Sequence, residues 1–193
     1  MHKVFLSYRR ADAPGYVGRL ADGLEACFGA GTVFRDVDSL RAGDNWKKAL
    51  AGAVSGAELV IAIIGPQWQA LLQRHGEQES DWVRFELNQA RQLDIPVVPL
   101  VLGDAPYSPA NLPTELAWLA DIQGARLADG QGRWASDLDW LTRRIAELTS
   151  LKPLPGSKDA ATGQVSHGDQ SPNINSGGGA VTINFGTSTS GDS

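Results

Sequence analysis

The chain has one cysteine, Cys27, in 193 residues, so no internal disulfide can form and stability has to come from packing. Its three histidines, His2, His75 and His167, are scattered, and no Cys/His set stands at metal-ligand spacing. No metal is expected. No apolar run approaches the ~18 residues needed to cross a bilayer, so no membrane partner is expected. A basic excess is also missing: 17 Lys and Arg face 22 Asp and Glu, for a net charge of -5. That balance argues against nucleic acid or an anionic membrane as partner. No G-x-S-x-G elbow is present, which argues against a serine nucleophile of the hydrolase type. Met1-His2-Lys3-Val4-Phe5 enters a strand pattern directly, with no signal-peptide core, and a cytoplasmic location is the expectation.

With 42% hydrophobic and 20% charged residues, the composition suits a soluble globular core. Residues 1–151 alternate strand-like and helix-like segments. Lys3 to Tyr8 is a short apolar strand; Val17, Leu20, Leu24, Cys27 and Phe28 recur at helical spacing until Gly29-Ala30-Gly31. Thr32 to Arg35 is a second strand and Asp36 to Asp44 a polar loop. Trp46, Leu50, Ala53, Val54 and Ala57 form a second helical stripe. Leu59 to Ile64 is apolar throughout, as a strand covered on both faces requires. After Gly65-Pro66 the stretch Gln67 to Ser80 is long and polar.

Ser80 is the expected cap of a helix running to about Leu93, with Asp81 in its first turn. Ile95 to Leu102 is a fourth strand, weakened on one side by Pro99. Leu112 to Leu119 is a short helix, and Gly124 to Leu127 a weak fifth strand. Leu138, Leu141, Ile145 and Leu148 mark a last helix, with Ser136 as its expected cap. This alternation predicts an α/β fold: a five-stranded parallel sheet in the flavodoxin-like order 2-1-3-4-5, with helices on both faces. Ligands of such sheets bind beyond the carboxyl ends of the strands where the order reverses, here between strands 1 and 3. Ser7, Tyr8, Arg9, Arg10, Gly65 and Pro66 arrive there.

Beyond Leu151 the composition changes. Residues 152–169 carry Pro, Gly and polar residues and are expected to be a flexible linker. Within 170–186, Val181, Ile183 and Phe185 alternate with polar residues, and Asn173-Ile174 lies before Gly177-Gly178-Gly179. That is the period of a half-buried strand, a low-complexity tail with one short β segment. Two strands are marginal alone, so this island is expected to self-associate or dock on a partner. Residues 187–193 are expected to be disordered.

Cys27 lies on an apolar helix stripe and is expected in the core. Asp36, Asp38 and Asp44 are more consistent with caps and solvated charges than with a cation site. Two features carry more chemistry. Arg9 and Arg10, at the end of strand 1, either offer guanidinium forks to a phosphate or are surface arginines of a loop, and taken alone the pair fits the second slightly better. Glu86 follows Trp82 by four residues and Val83 by three, which places a carboxylate on a face shared with apolar groups, a pattern found at working sites and also at the edge of ordinary amphipathic helices.

Together these segments resemble a known family. Val4-Phe5-Leu6-Ser7-Tyr8-Arg9-Arg10 resembles the first-strand box of Toll/interleukin-1 receptor (TIR) domains. Val33-Phe34-Arg35-Asp36-Val37-Asp38, with Leu40, Gly43 and Trp46, resembles their second strand and BB loop. Asp81-Trp82-Val83 with Glu86-Leu87 and Ala90 resembles their third-helix box, and Ile95-Pro96-Val97-Val98-Pro99-Leu100 their fourth strand. The likeness is to the bacterial, NAD-cleaving kind and covers residues 1 to about 150.

The resemblance implies NAD+ as a substrate rather than a cofactor, with release of nicotinamide and, as a variant, cyclisation of the ADP-ribose product in bacterial immune signalling against phage. It implies Glu86 as the catalytic carboxylate. Tyr8, Arg9, Arg10 and Phe34 would lie around the substrate, with Asp36, Trp46, Gly65 and Trp82 completing its surroundings. It also implies self-association through TIR surfaces; neither the sequence nor the likeness names an upstream trigger. Two alternatives stand beside this reading: a non-catalytic scaffold making homotypic contacts, and a nucleoside deoxyribosyltransferase-like enzyme. No acid ends strand 3, which disfavours a phospho-receiver.

Overall fold

Five parallel strands, β1 (Val4–Ser7), β2 (Val33–Arg35), β3 (Leu59–Ile64), β4 (Val97–Leu102) and β5 (Ala125–Leu127), form a sheet in the order β2-β1-β3-β4-β5. The computed structural model describes residues 3–35, 46–74, 81–128 and 133–157. The loop acids Asp36, Asp38 and Asp44, the expected cap Ser80, and everything after Ser157, including the expected island at 170–186, lie outside the described residues. The expected strand order is the observed one. Phe5 pairs with Phe34 on one side and Val60 on the other, and Ser7 at the end of β1 lies opposite Ala62.

Alternation along each strand builds two cores. Val4, Leu6, Leu59, Ile61, Ile63, Val98 and Leu100 face α1 (Pro14–Phe28) and α5 (Arg133–Leu148). Phe5, Val60, Ala62, Ile64, Val97 and Val101 face α2 (Trp46–Ser55), α3 (Trp68–Arg74) and α4 (Trp82–Gln92). Every residue of β1, β3 and β4 is buried, as strands covered on both faces must be. At ~25 cal/mol per Å², such burial is the main term favouring the fold.

The helix stripe read from Val17 to Phe28 is the buried face of α1. Pro14 opens this helix, where a missing N–H costs nothing, and Gly29 closes it at φ +102. Cys27 is buried in that face; desolvation first, and the Asp139 carboxylate second, push its thiol pKa up. Pro99 sits mid-β4 opposite Ala62, and pairing to β5 begins only at Leu100. The ladder bond that a proline cannot donate therefore falls where β5 has not begun.

Four local expectations differ from the structure. The polar stretch after Gly65 contains α3, whose Trp68 and Leu72 are fully buried. The segment read as a helix from Leu112 to Leu119 is two 3₁₀ turns, Pro109–Asn111 and Thr114–Asp121, separated at Leu112, which the following Pro113 steers away from helical backbone and which is extended at ψ 144. α5 starts at Arg133, ahead of the expected cap: the Ser136 hydroxyl donates to the Arg133 carbonyl within the first turn, and Asp137 instead accepts from the Ala128 amide. Asp81, placed in the first turn of α4 by its charge, is the N-cap itself and accepts from the Arg84 amide. Beyond α5, Leu151 is buried and the Leu154 amide donates to the Cys27 carbonyl at 2.7 Å. Among the described residues, no helix is long and apolar enough to cross a membrane.

Candidate active site

At the carboxyl edge of the sheet, β1 and β3 diverge into loops and α4 crosses beside them. β1 ends on a serine rather than on another apolar residue. Ser7 is fully buried, and its hydroxyl donates to Glu86 Oε2 at 2.6 Å. Glu86 belongs to the inward face of α4 with Val83, Leu87 and Ala90, and is 2% exposed. Helical spacing from Val83 fixes this: three residues on, the side chain returns to the same face. Removing a carboxylate from water is costly unless it is hydrogen-bonded, and Ser7 provides one such bond.

The N-terminus of α4 is tied to the same edge. Arg9 Nη2 lies 2.5 Å from Asp81 Oδ2, with the two side chains 10% and 3% exposed. Asp81 also forms an ion pair with Arg84, whose Nε lies 3.2 Å from Asp81 Oδ2. Arg84 in turn donates to Glu115 at 2.6 Å and to the Leu72 carbonyl, joining α4 to the second 3₁₀ turn and to α3.

A third polar contact joins the two loops. The chain turns sharply after β1, where the Asp12 amide donates to the Arg9 carbonyl at 2.9 Å. The Asp12 carboxylate then accepts from the Gln67 amide at 2.6 Å, in the loop after β3. A Cβ on Gly65 would lie 2.5 Å from Asp12 Oδ2, so only glycine leaves room for this carboxylate.

The expected site residues divide accordingly. Glu86, Arg9 and Gly65 all lie at the carboxyl edge, each against a different partner: Ser7, Asp81 and Asp12. Arg10 is exposed on the turn beside them. Phe34 stacks on Phe5 with ring centroids 5.4 Å apart, and Trp82 packs edge-on to Phe85 at 6.1 Å. Both pack with the α4-side core, whereas Tyr8 packs with the core under α1 and α5. Asp36 and the Trp46 side chain lie outside what is described. Ser7, Asp12 and Asp81 belong to this edge; sequence reading brought Ser7 to the reversal point without giving it a role, read Asp81 only as a helix-start charge within a family box, and did not single out Asp12. For Ser7 a signal existed: a lone hydroxyl closing an apolar strand at the reversal of strand order.

A model of the TIR domain family matches residues 4–141 of the chain. No curated protein matches it. Among solved structures, the TIR domains of the activated Roq1 resistosome directly recognizing the pathogen effector XopQ are similar over 75% of this chain and 99% of that one. Their identity is 17% and the TM-score 0.57, a likeness of fold.

Proposed function

We propose, on the premise that this chain belongs to the TIR domain family, that it cleaves NAD+ between nicotinamide and ribose with Glu86 as its catalytic carboxylate. The observation that supports this reading is a hydrogen-bonded carboxylate buried at the reversal of strand order, where sheets of this topology take ligands. The C–N glycosidic bond breaks and its electron pair leaves with the nicotinamide nitrogen, which becomes neutral. No general acid is needed for that step. The ribose acquires oxocarbenium character, and a fixed negative charge close to it lowers the barrier. Burial strengthens the effect, because a low local dielectric leaves the field unscreened. Water then adds to the ribose carbon and loses a proton, or a group of the ADP-ribose itself adds and closes a ring.

In this proposal Arg10 serves the phosphates from the exposed side of the turn, and Phe34 and Trp82 supply apolar surface. Self-association concentrates these domains, with the 170–186 segment as an added contact, and the setting is immune signalling in the cytoplasm. Purified full-length chain incubated with NAD+, its products separated by mass and retention time, tests the reaction. Free nicotinamide with ADP-ribose or a cyclic isomer is the expected result, and transfer of a deoxyribosyl group between bases the contrary one. Removal of residues 158–193 is expected to lower both oligomeric state and specific activity at matched concentration, measured by light scattering and turnover.

A second reading, a scaffold acting through contacts alone, has one observation in its favour. Phe85 and Leu93, 41% and 49% exposed, flank a groove of about 500 Å³ between α2 and α4. Chain that stays inert toward NAD+ in every assembled state would favour that reading.

A further inference from the structure

We propose that the turn after β1 is a two-armed clasp, and that Arg9 and Asp81 are positioning residues for Glu86 rather than part of the substrate's phosphate site. This rests on the reading of Glu86 as the catalytic carboxylate. Arg9 and Asp12 close one short turn through their own backbone, Asp12 amide to Arg9 carbonyl. From that turn one arm, Arg9, reaches Asp81, the N-cap of α4. The other arm, Asp12, reaches the Gln67 amide at the start of the β3–α3 loop. Glu86 lies five residues after Asp81 on the same helix, so whatever fixes Asp81 fixes the approach of Glu86 to Ser7.

The geometry separates this role from anion binding. A guanidinium that grips a phosphate presents its paired donors to the ligand. Arg9 Nη2 is instead engaged by a carboxylate that is 3% exposed, so that face of the guanidinium is already taken by the protein. A buried cation facing a buried anion holds its geometry because separating them strands both charges. Asp81 is held further by its cap bond to the Arg84 amide and by the Arg84 side chain. The second arm shows the same commitment: Gly65 has no side chain, and the Asp12 carboxylate occupies the room that one would need.

The test uses the full chain with Arg9→Met, Arg9→Lys, Asp81→Asn, the Arg9→Met/Asp81→Asn double variant and Gly65→Ala. A displacement of ~1 Å at a reacting group costs on the order of 10²-fold in rate. Arg9→Met is therefore expected to lower kcat by about that factor with KM nearly unchanged, and Arg9→Lys to recover much of the loss. Asp81→Asn keeps an oxygen for the Arg84 amide but weakens the pair, and the double variant should be no slower than the worse single one, because both remove the same contact. A raised KM with wild-type kcat in Arg9→Met, or losses that multiply in the double variant, overturns the proposal.

Amide exchange on the same proteins reads the clasp without NAD+. Residues 82–87 should exchange faster in Arg9→Met, and Gln67 and Trp68 faster in Gly65→Ala. If the wild-type chain leaves NAD+ intact, the catalytic reading fails while exchange still judges the clasp. Exchange unchanged from wild type in Arg9→Met overturns the clasp whatever the activity.

Discussion

The two edges of the sheet each hold a basic side chain against a carboxylate, and they differ in nearly everything else. At the carboxyl edge, Arg9 meets Asp81 and Ser7 meets Glu86 with almost no exposure to solvent. At the amino edge, Lys3 at the start of β1 meets Glu58 at the start of β3, with side chains 36% and 32% exposed. Glu58 also accepts from the Ser150 amide and hydroxyl, so this cluster pins the chain leaving α5 to the base of the sheet. A solvated pair of this kind contributes roughly 0–1 kcal/mol and is screened by salt. Buried charged and polar groups cost far more to place, and folds retain them mainly where chemistry or specificity uses them. The difference assigns the two edges different work: the amino edge holds the sheet together, and in the proposed reaction the carboxyl edge holds the reacting group.

The comparison breaks most visibly at Glu86. Glu86→Gln retains the volume and an oxygen for the Ser7 hydroxyl, so the thermal midpoint should stay near that of wild type. NAD+ cleavage should fall by about 10²–10³, the usual loss for one missing transition-state contact. Wild-type turnover by this variant would remove Glu86 from the chemistry. Ser7→Ala acts one step back. Hydrogen bonds to charged groups contribute about 1.5–3 kcal/mol, so kcat/KM should fall roughly 10- to 100-fold. The same substitution leaves the carboxylate short of one donor, so the folded state should also lose stability, read as a lower denaturation midpoint.

Much of the fold was legible in the sequence because periodicity reports burial directly. Leu59 to Ile64 is apolar at every position, and the structure places β3 over that same span, covered on both faces. The stripe from Val17 to Phe28 likewise became the inner face of α1. Short elements escaped. α3 has seven residues, too few for a helical period to emerge, and Trp68 and Leu72 are its fully buried anchors. Capping was misread at α5: Ser136 was expected to begin the helix, but the helix already runs from Arg133 and the Ser136 hydroxyl bonds the Arg133 carbonyl within it.

The site was half legible. Glu86 stands out because an acid three residues after Val83 must share its apolar face. Its partner Ser7 is 79 residues away, and Asp81 is 72 from Arg9. Nothing local in a sequence pairs residues at such distances; only the strand order brings them together. Asp81 was legible as a charge suited to a helix start. That it would also receive Arg9 was not.

The smallest expected effect lies at the amino edge, and its pH dependence sharpens the contrast. The hydrogen bond from Lys3, followed by that from the Ser150 amide, holds the Glu58 carboxyl below its ordinary value. A group whose pKa is lower in the folded chain stabilises that chain above its unfolded value. The contribution fades as pH falls through the folded value, because folding then no longer excludes a proton. Lys3 and Glu58 are each about a third exposed, so solvent screening keeps the effect under ~1 kcal/mol. Glu58→Gln should therefore unfold at slightly lower denaturant than wild type near pH 7, with unchanged NAD+ turnover. The gap should narrow in high salt, and narrow again as the pH is taken below the ordinary carboxylate range of about 4. Denaturant titrations of both proteins at neutral and acid pH measure it. A gap that persists undiminished in acid would assign the stability difference to the geometry of the Ser150 hydrogen bonds and not to the charge on Glu58.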